Sequence, residues 1–310
     1  MKSGGPGVAT NSARAWLLAA RPKTLSGAAV PVVVALCAAW ADCLPGSLVT
    51  AEAFKWLPAA LCLAFALLMQ VDANLVNDYF DCVHGIDGAD RLGPERACAQ
   101  GWVTLPAMRR AIWTVTLLAC AVGLPLVVWG GWAMVLVGVA CVAFCFLYTT
   151  VLSRLAMGDV LVLLFFGIVP VCATYYVQTL ALTWPLVGLS LACGAVTDCL
   201  LIVNNYRDRD TDARVEKITL VTLLGARCSE WLYLVLGVAG VLLTVPSLGL
   251  RSLAMTAYLI PHAVAWRQMR RICAGRELNA VLARTALNIL IFGIALSLLI
   301  LLPWLMELFR

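Results

Sequence analysis

The 310-residue sequence is short of charged residues, and this shortage decides the class of protein. Only 13% of the residues are Asp, Glu, Lys or Arg, whereas 63% are hydrophobic. Soluble domains carry about 25% charged residues, so this chain lacks the polar side chains needed to cover a surface that faces water. A disordered chain is excluded for the opposite reason, because disordered segments are poor in apolar residues. The composition therefore predicts an integral membrane protein embedded in a lipid bilayer.

Two further absences narrow the chemistry. The chain has only two His residues and no Cys-x-x-Cys sequence, so a zinc site built from Cys and His is not expected. Most of the 13 Cys residues lie inside apolar runs, which indicates small residues at helix contacts and not a disulfide framework. The net charge of +5 is not arranged as a basic stripe with interleaved aromatic residues, so nucleic acid is not an expected partner.

Long apolar runs are abundant and predict the fold. A membrane-spanning helix needs about 20 mostly apolar residues. The chain has nine such runs, at 25–42, 56–76, 111–130, 132–152, 159–180, 184–204, 231–249, 253–266 and 285–306. We therefore predict an all-α, polytopic membrane protein with about nine transmembrane helices. In this prediction residues 1–310 form one domain, which begins with an N-terminal segment of residues 1–24.

The basic residues predict the orientation of these helices. The N-terminus and the segments 77–110, 153–158, 205–230 and 267–284 hold 19 of the 22 Lys and Arg residues. The opposite side holds only Lys55, Arg251 and Arg310. Because Lys and Arg are enriched in cytoplasmic loops, we expect a multi-pass protein of the cell membrane whose N-terminus and basic loops are cytoplasmic.

The same loops carry two acidic motifs that topology does not explain. Asn74 and Asp78 at the end of the second run repeat as Asn204 and Asp208 at the end of the sixth, at an offset of 130 residues. Each pair has i,i+4 spacing, which places both side chains on one helix face, and Asp212 continues the second face. The repetition predicts two four-helix repeats, roughly 25–152 and 159–266, followed by a final helix, with a ligand site at their interface.

Carboxylate and amide oxygens without His or Cys are typical of a Mg²⁺ site that also binds a phosphate substrate. The predicted metal group is Asn74, Asp78, Asp81, Asn204, Asp208 and Asp212, with Asp81 and Asp87 acting through water or behind the direct ligands. The predicted phosphate-binding residues are Arg91, Arg96, Arg207 and Lys217. The alternative is that these acids and bases only pair with one another in a solvated loop.

Two acidic residues lie inside the apolar runs, Asp72 and Asp198. An intramembrane carboxyl group is costly unless it is satisfied. For both residues we expect a helix–helix hydrogen bond.

The paired acidic motifs resemble those of the UbiA superfamily of intramembrane prenyltransferases. The segments Arg21-Pro22-Lys23-Thr24, Asp90 to Arg96 and Thr174-Tyr175-Tyr176-Val177-Gln178-Thr179 resemble the branch that prenylates 1,4-dihydroxy-2-naphthoate in menaquinone synthesis. The resemblance implies nine helices, a Mg²⁺ cofactor, and transfer of a polyprenyl group from its diphosphate to an aromatic ring. In this branch the acceptor also loses its carboxylate as carbon dioxide.

The resemblance also implies roles for named residues. Asp78, Asp208 and Asp212 are expected to serve catalysis through the metal, and Tyr148 is expected to stabilise the allylic cation, with Tyr79 and Tyr175 as further candidates. Arg21, Lys23 and Arg154 are the candidates for binding the acceptor carboxylate. Two alternatives stay open: a related prenyltransferase with another acceptor such as 4-hydroxybenzoate, and a secondary transporter, which would place its acidic residues in the middle of the membrane.

Overall fold

The computed structural model describes residues 7–43, 53–85, 91–150 and 156–308, and these ranges contain helices and no strand. The helices are α1 (Ala13–Ala20), α2 (Leu25–Asp42), α3 (Trp56–Val83), α4 (Leu105–Gly123), α5 (Ala133–Thr150), α6 (Gly158–Leu163), α7 (Val169–Thr179), α8 (Trp184–Arg214), α9 (Leu220–Leu242), α10 (Leu259–Ile272) and α11 (Leu278–Leu308). Short helical turns occupy Pro22–Thr24, Leu124–Leu126, Val127–Gly130, Val245–Leu248, Gly249–Arg251, Ser252–Met255 and Thr256–Tyr258. A π-helical turn, Leu164–Ile168, joins α6 to α7.

The all-α, polytopic prediction is confirmed, but the count of nine spans is not. Within the described ranges, seven helical segments are long and apolar enough to cross a membrane, and Ala133–Tyr148 is a shorter apolar helix. One of the seven, Leu220–Ile272, contains two of the predicted runs. The chain folds back on itself within this segment, which brings α10 against α9. Arg270 of α10 donates a hydrogen bond to Glu230 of α9 at 3.1 Å.

The helices that carry the acidic motifs are longer than the apolar runs that predicted them. The second and sixth runs end at residues 76 and 204, whereas α3 continues to Val83 and α8 to Arg214. Hydropathy detects only the apolar part of a helix, so it stops where the polar residues begin. The motifs therefore lie within the last turns of α3 and α8 and not in the loops that follow.

Helix α8 lies at the centre of the structure, against α9, α6, α11 and α2. Its contact with the π-helical turn is close, because a Cβ atom on Gly167 would lie 2.5 Å from the Ser190 carbonyl oxygen. Glycine is thus required at position 167 for the two backbones to approach. This contact fixes the chain after α6 directly against the helix that carries the second acidic motif.

The buried acid Asp72 makes the predicted helix–helix hydrogen bond through one of its two oxygens. Thr116 of α4 donates a hydrogen bond from its hydroxyl to Asp72 Oδ2 of α3 at 2.6 Å, and both residues are buried. The contact joins two neighbouring helices where water is absent. Asp198 is also buried, but its Oδ1 atom has no hydrogen-bond partner within the described chain, so the helix–helix bond predicted for Asp198 stays a prediction.

Candidate active site

A cavity of about 1270 Å³ opens between α2, α3, α5, α7 and α8, and its two ends differ in character. One end is polar and is formed by the last turns of α3 and α8 together with residues 91–96 and 211–217. The rest is lined by apolar side chains and reaches the end of α4 and the start of α5. A ligand with a charged head and a long apolar tail matches this shape.

The motif face of α8 lines the polar end. Asn204, Asp208 and Asp212 all border the cavity, as their spacing predicts. Arg207 is buried beneath them, and its guanidinium donates hydrogen bonds to Asn204 Oδ1 at 2.9 Å and to Asp208 Oδ1 at 2.8 Å. Arg207 therefore fixes the orientation of two of the oxygen-bearing side chains on this helix.

Each carboxylate among the described residues that line the cavity is paired with a basic side chain. Asp208 is paired with Arg207, Asp212 lies 3.2 Å from Lys217 Nζ, and Asp81 lies 2.9 Å from Arg96 Nη2. These pairs balance their own charges. A bound diphosphate would therefore need additional positive charge beyond these three bases.

The first motif is placed differently from the prediction. Asp78 is buried and accepts hydrogen bonds from the backbone N–H groups of Ala97 at 2.9 Å and Cys98 at 3.1 Å. Asn74 donates its amide to the Ala20 carbonyl at 3.0 Å and to Thr24 Oγ1 at 2.9 Å. Neither residue lines the cavity, because both lie on the face of α3 that packs against α1 and the segment after residue 95.

Asn77 and Asp81 occupy the cavity face of α3 instead. They have the same i,i+4 spacing as Asn204 and Asp208, so the sequence contained the signal. Aligning the repeat on Asn74 and Asp78 selected the wrong face of the helix for the cavity. Asn77 is thus a candidate site residue that the sequence did not single out.

The predicted basic residues converge on the polar end. Those that line the cavity are Arg21, Lys23, Arg91, Arg96, Arg207 and Lys217. Arg214 and His84 also line it and were not predicted. Arg154, Asp87 and Asp90 lie outside the described residues.

Of the three candidate tyrosines, Tyr148 lines the cavity, whereas Tyr79 and Tyr175 do not. Tyr175 donates its hydroxyl to Asp42 Oδ2 at 2.6 Å, which directs the ring away from the cavity. Phe165 and Phe166 of the π-helical turn also line it. Sequence periodicity gives no signal for such a turn.

The start of α11 closes over the polar end. Asn279 accepts a hydrogen bond from Arg207 Nη1 at 2.8 Å and donates one to the Leu92 carbonyl at 2.8 Å. Gly93 follows, and a Cβ atom there would lie 2.8 Å from Arg207 Nη2. The final helix thus holds the segment at 91–94 directly against the buried arginine of α8.

The Thr174–Thr179 segment has a mostly structural role. Thr174 and Val177 border the cavity. Gln178 instead bridges the backbone of Lys55, accepting from its N–H at 2.9 Å and donating to its carbonyl at 2.8 Å. The segment therefore holds the end of α7 against the start of α3.

The donors at the polar end fit Mg²⁺ bound together with a phosphate group. Within the described residues, no group of three or more His, Cys, Asp and Glu side chains could hold a metal ion alone. The cavity instead presents carboxylate and amide oxygens from two helices, with no sulfur ligand among the motif residues. Mg²⁺ binds through one or two carboxylates and completes its shell with water and substrate phosphate, which is the donor set present here.

Comparison with known proteins adds independent evidence. The model of the UbiA prenyltransferase family matches residues 28–287. The 1,4-dihydroxy-2-naphthoate octaprenyltransferase of Mycobacterium tuberculosis is 35% identical over 273 residues, which cover 86% of this chain and 90% of that protein. The Escherichia coli enzyme of the same name is 35% identical over 223 residues, which cover 68% of this chain and 69% of that protein.

A solved structure shares the fold. The UbiA homolog from Archaeoglobus fulgidus bound to GPP and Mg²⁺ superimposes with a TM-score of 0.63 at 14% identity, over 92% of this chain and 99% of that one. At this identity the likeness concerns the fold alone.

Proposed function

The chain belongs to the UbiA prenyltransferase family, and on that premise we propose that it transfers a polyprenyl group from an allylic polyprenyl diphosphate to 1,4-dihydroxy-2-naphthoate, with loss of carbon dioxide. The cavity carries this proposal, because one charged end and one long apolar compartment match a diphosphate and its prenyl tail. The acceptor is supported by the relatives named 1,4-dihydroxy-2-naphthoate octaprenyltransferase.

The metal group that we propose is Asn77 and Asp81 on α3 with Asn204, Asp208 and Asp212 on α8. Asn77 and Asp81 replace Asn74 and Asp78, whose side chains are engaged with the protein backbone and Thr24. Bound Mg²⁺ would supply positive charge to the diphosphate as it departs. The oxygen donors lie at the ends of two separate helices, which suits ions that bridge the protein and the substrate.

The basic residues bind the phosphate oxygens that the metal leaves free. Arg207 and Lys217 lie beside the α8 carboxylates, and Arg91 and Arg96 line the same cavity on the segment before α4. Guanidinium groups match phosphate oxygens in a bidentate geometry. As the carbon–oxygen bond breaks and both electrons leave with the diphosphate, these cations stabilise the charge that develops.

The allylic cation that remains needs shelter from water and an aromatic face nearby. Tyr148 lines the cavity, and Phe144 and Phe165 form a ring pair with centroids 4.9 Å apart. All three rings line the cavity. They are the groups that we propose to surround the reacting carbon.

The acceptor carboxylate is proposed to bind Arg21 and Lys23, with Arg154 as the third candidate. A new carbon–carbon bond forms at the ring carbon that bears the carboxylate, and the bond to the carboxylate then breaks. Carbon dioxide leaves, and the electron pair of that bond returns to the ring. Holding the carboxylate beside a cation keeps the ring oriented towards the allylic carbon.

The membrane arrangement is part of the same proposal. The bias of Lys and Arg towards one set of loops supports a cell-membrane protein with its N-terminus and polar cavity end on the cytoplasmic side. The paired motifs on α3 and α8 support a single domain, residues 1–310, built from two repeats and a final helix.

The decisive experiment uses the purified full-length chain in lipid nanodiscs with a polyprenyl diphosphate and Mg²⁺. We expect 1,4-dihydroxy-2-naphthoate to be prenylated with release of carbon dioxide and diphosphate, and 4-hydroxybenzoate not to react. EDTA should stop turnover, and added Mg²⁺ should restore it. Full activity in excess chelator would contradict the metal assignment, and prenylation of 4-hydroxybenzoate alone would contradict the acceptor.

A further inference from the structure

Gly138 has the smallest side chain among the α5 residues that line the cavity. The α5 residues that line the cavity are Met134, Val135, Val137, Gly138, Val139, Cys141, Val142, Phe144, Cys145 and Tyr148, of which Met134, Gly138, Cys141, Cys145 and Tyr148 follow one another at helical spacing. Tyr148 is at the polar end, and the residues that precede it extend into the apolar compartment. This face of α5 therefore runs alongside any tail whose head is bound at the polar end.

Gly138 differs from the other glycines that line the apolar compartment. A Cβ atom on Gly123 would lie 2.8 Å from Phe65, and a Cβ atom on Gly27 would contact Thr197 at 3.7 Å. A Cβ atom on Gly138 would meet nothing within 4 Å. Packing does not require glycine at position 138, so the space that a side chain would fill belongs to the cavity.

The distance along α5 from Tyr148 to Gly138 sets the length of prenyl tail that reaches Gly138. Ten residues separate Gly138 from Tyr148, which is about 15 Å along a helix axis and about the extended length of three isoprene units. Beyond this level the cavity continues to the start of α5 and the turn after α4, where Leu124 lines it and is 65% exposed. A tail longer than three units must therefore pass Gly138 to reach this far part of the cavity.

We propose that Gly138 is a specificity-determining residue that lets prenyl tails longer than about three isoprene units extend past α5 into the far part of the cavity. The proposal rests on the proposed function, since the molecule that would fill the apolar compartment is the prenyl tail of the diphosphate substrate. Charge supports this occupant, because the apolar compartment is continuous with the end that collects Arg91, Arg207 and Lys217. A larger side chain at position 138 would occupy the path of the fourth unit and leave the first three units free.

The test compares chain lengths in Gly138→Leu and Gly138→Ala. The substrates are geranyl, farnesyl, geranylgeranyl and octaprenyl diphosphate, with 1,4-dihydroxy-2-naphthoate as the acceptor and kcat/KM as the readout. Gly138→Leu should lower the octaprenyl value by about tenfold or more relative to the geranyl value, since an apolar pocket discriminates added groups at this level. Gly138→Ala should shift the preference in the same direction by a smaller factor, and alanine is also the better helix former.

The matched control is Ala143→Leu, which adds the same side chain to the exposed face of α5, away from the cavity. It should leave the length preference unchanged. Two results would overturn the assignment of Gly138 without affecting the proposed function. One is an equal loss of kcat/KM for every tail length in both Gly138 variants, and the other is no loss of kcat/KM for octaprenyl diphosphate. Absence of wild-type prenyl transfer with every length would overturn the proposed function itself, and this inference with it.

Discussion

The ends of α3 and α8 carry the same kind of motif and use it differently. On α8, the whole motif face, Asn204, Asp208 and Asp212, borders the cavity. On α3, Asn77 and Asp81 border the cavity, whereas Asp78 is buried beside them against residues 97 and 98. A repeated spacing therefore shows which residues share a face, but it does not show which face meets the ligand.

The neighbours of the two helices explain the difference. The end of α3 is covered by α1 and by residues 96–98, and the buried N–H groups of Ala97 and Cys98 need acceptors. Asp78 supplies both. The end of α8 instead packs around the buried Arg207, which binds its own motif and the start of α11. Asp78 thus accepts hydrogen bonds from the backbone, whereas the carboxylates of Asp81, Asp208 and Asp212 face the cavity.

The largest effect should follow from removing a cavity carboxylate. Asp208→Asn and Asp81→Asn should each lower kcat/KM by about 10²–10³-fold, because each removes charge that stabilises the transition state. Asp210→Asn is the matched control, since Asp210 is on α8 but its side chain is 69% exposed and does not line the cavity. Near-normal turnover in Asp81→Asn would remove α3 from the metal site.

At Asp78 we expect a loss of stability and not the loss of catalysis that is expected for the cavity carboxylates. Asp78→Ala should destabilise the protein by about 1–3 kcal/mol, the cost of leaving a buried N–H group without an acceptor, and Asp78→Asn should recover part of this loss. The measurement is unfolding of the detergent-purified protein, alongside activity as a function of Mg²⁺ concentration. Unchanged stability with a raised Mg²⁺ requirement would return Asp78 to the metal site that the sequence predicted.

Most of the architecture could be predicted from the sequence, and the reasons are physical. Apolar length identifies spanning helices because the membrane must satisfy every backbone group within the helix. The polar last turns of α3 and α8 carry no such signal, and neither does the π-helical turn at Leu164–Ile168, which depends on packing against α8. The α8 face was predictable from spacing alone, whereas the α3 face depends on what covers it.

The role of α11 was not predictable for a similar reason. Asn279 is 72 residues from Arg207 and 187 from Leu92, so only the folded chain brings the three together. No local pattern marks Asn279 as a site residue. Its significance comes from the two hydrogen bonds that it makes at the polar end.

Asn279 provides a test of how the α8 end is held. Asn279→Ala should lower kcat/KM by about tenfold, mainly through a higher KM for the diphosphate, because a bond to a charged group contributes about 1.5–3 kcal/mol. Asn279→Asp keeps the acceptor for Arg207 and loses the donor to Leu92, so its effect should be smaller. Equal effects in both variants would assign the role to the Leu92 contact and not to Arg207.

The smallest effect is expected at the turn between α1 and α2, beside the end of α3. Arg21 and Lys23 both line the cavity, and Lys23 is exposed, so solvent screens its charge. Lys23→Gln should raise the KM for 1,4-dihydroxy-2-naphthoate by about threefold to fivefold, with little change in the KM for the diphosphate. Arg21→Gln should act in the same direction and more strongly, because Arg21 is less exposed.

Salt concentration separates the two possible roles of these cations. If they hold the acceptor carboxylate, added salt should weaken acceptor binding in the wild type and reduce the difference between wild type and Lys23→Gln. The diphosphate, which meets the more buried Arg207, should respond less. An equal rise in both KM values would place Arg21 and Lys23 with the diphosphate-binding residues, and the α3 end would then serve the same substrate as the α8 end.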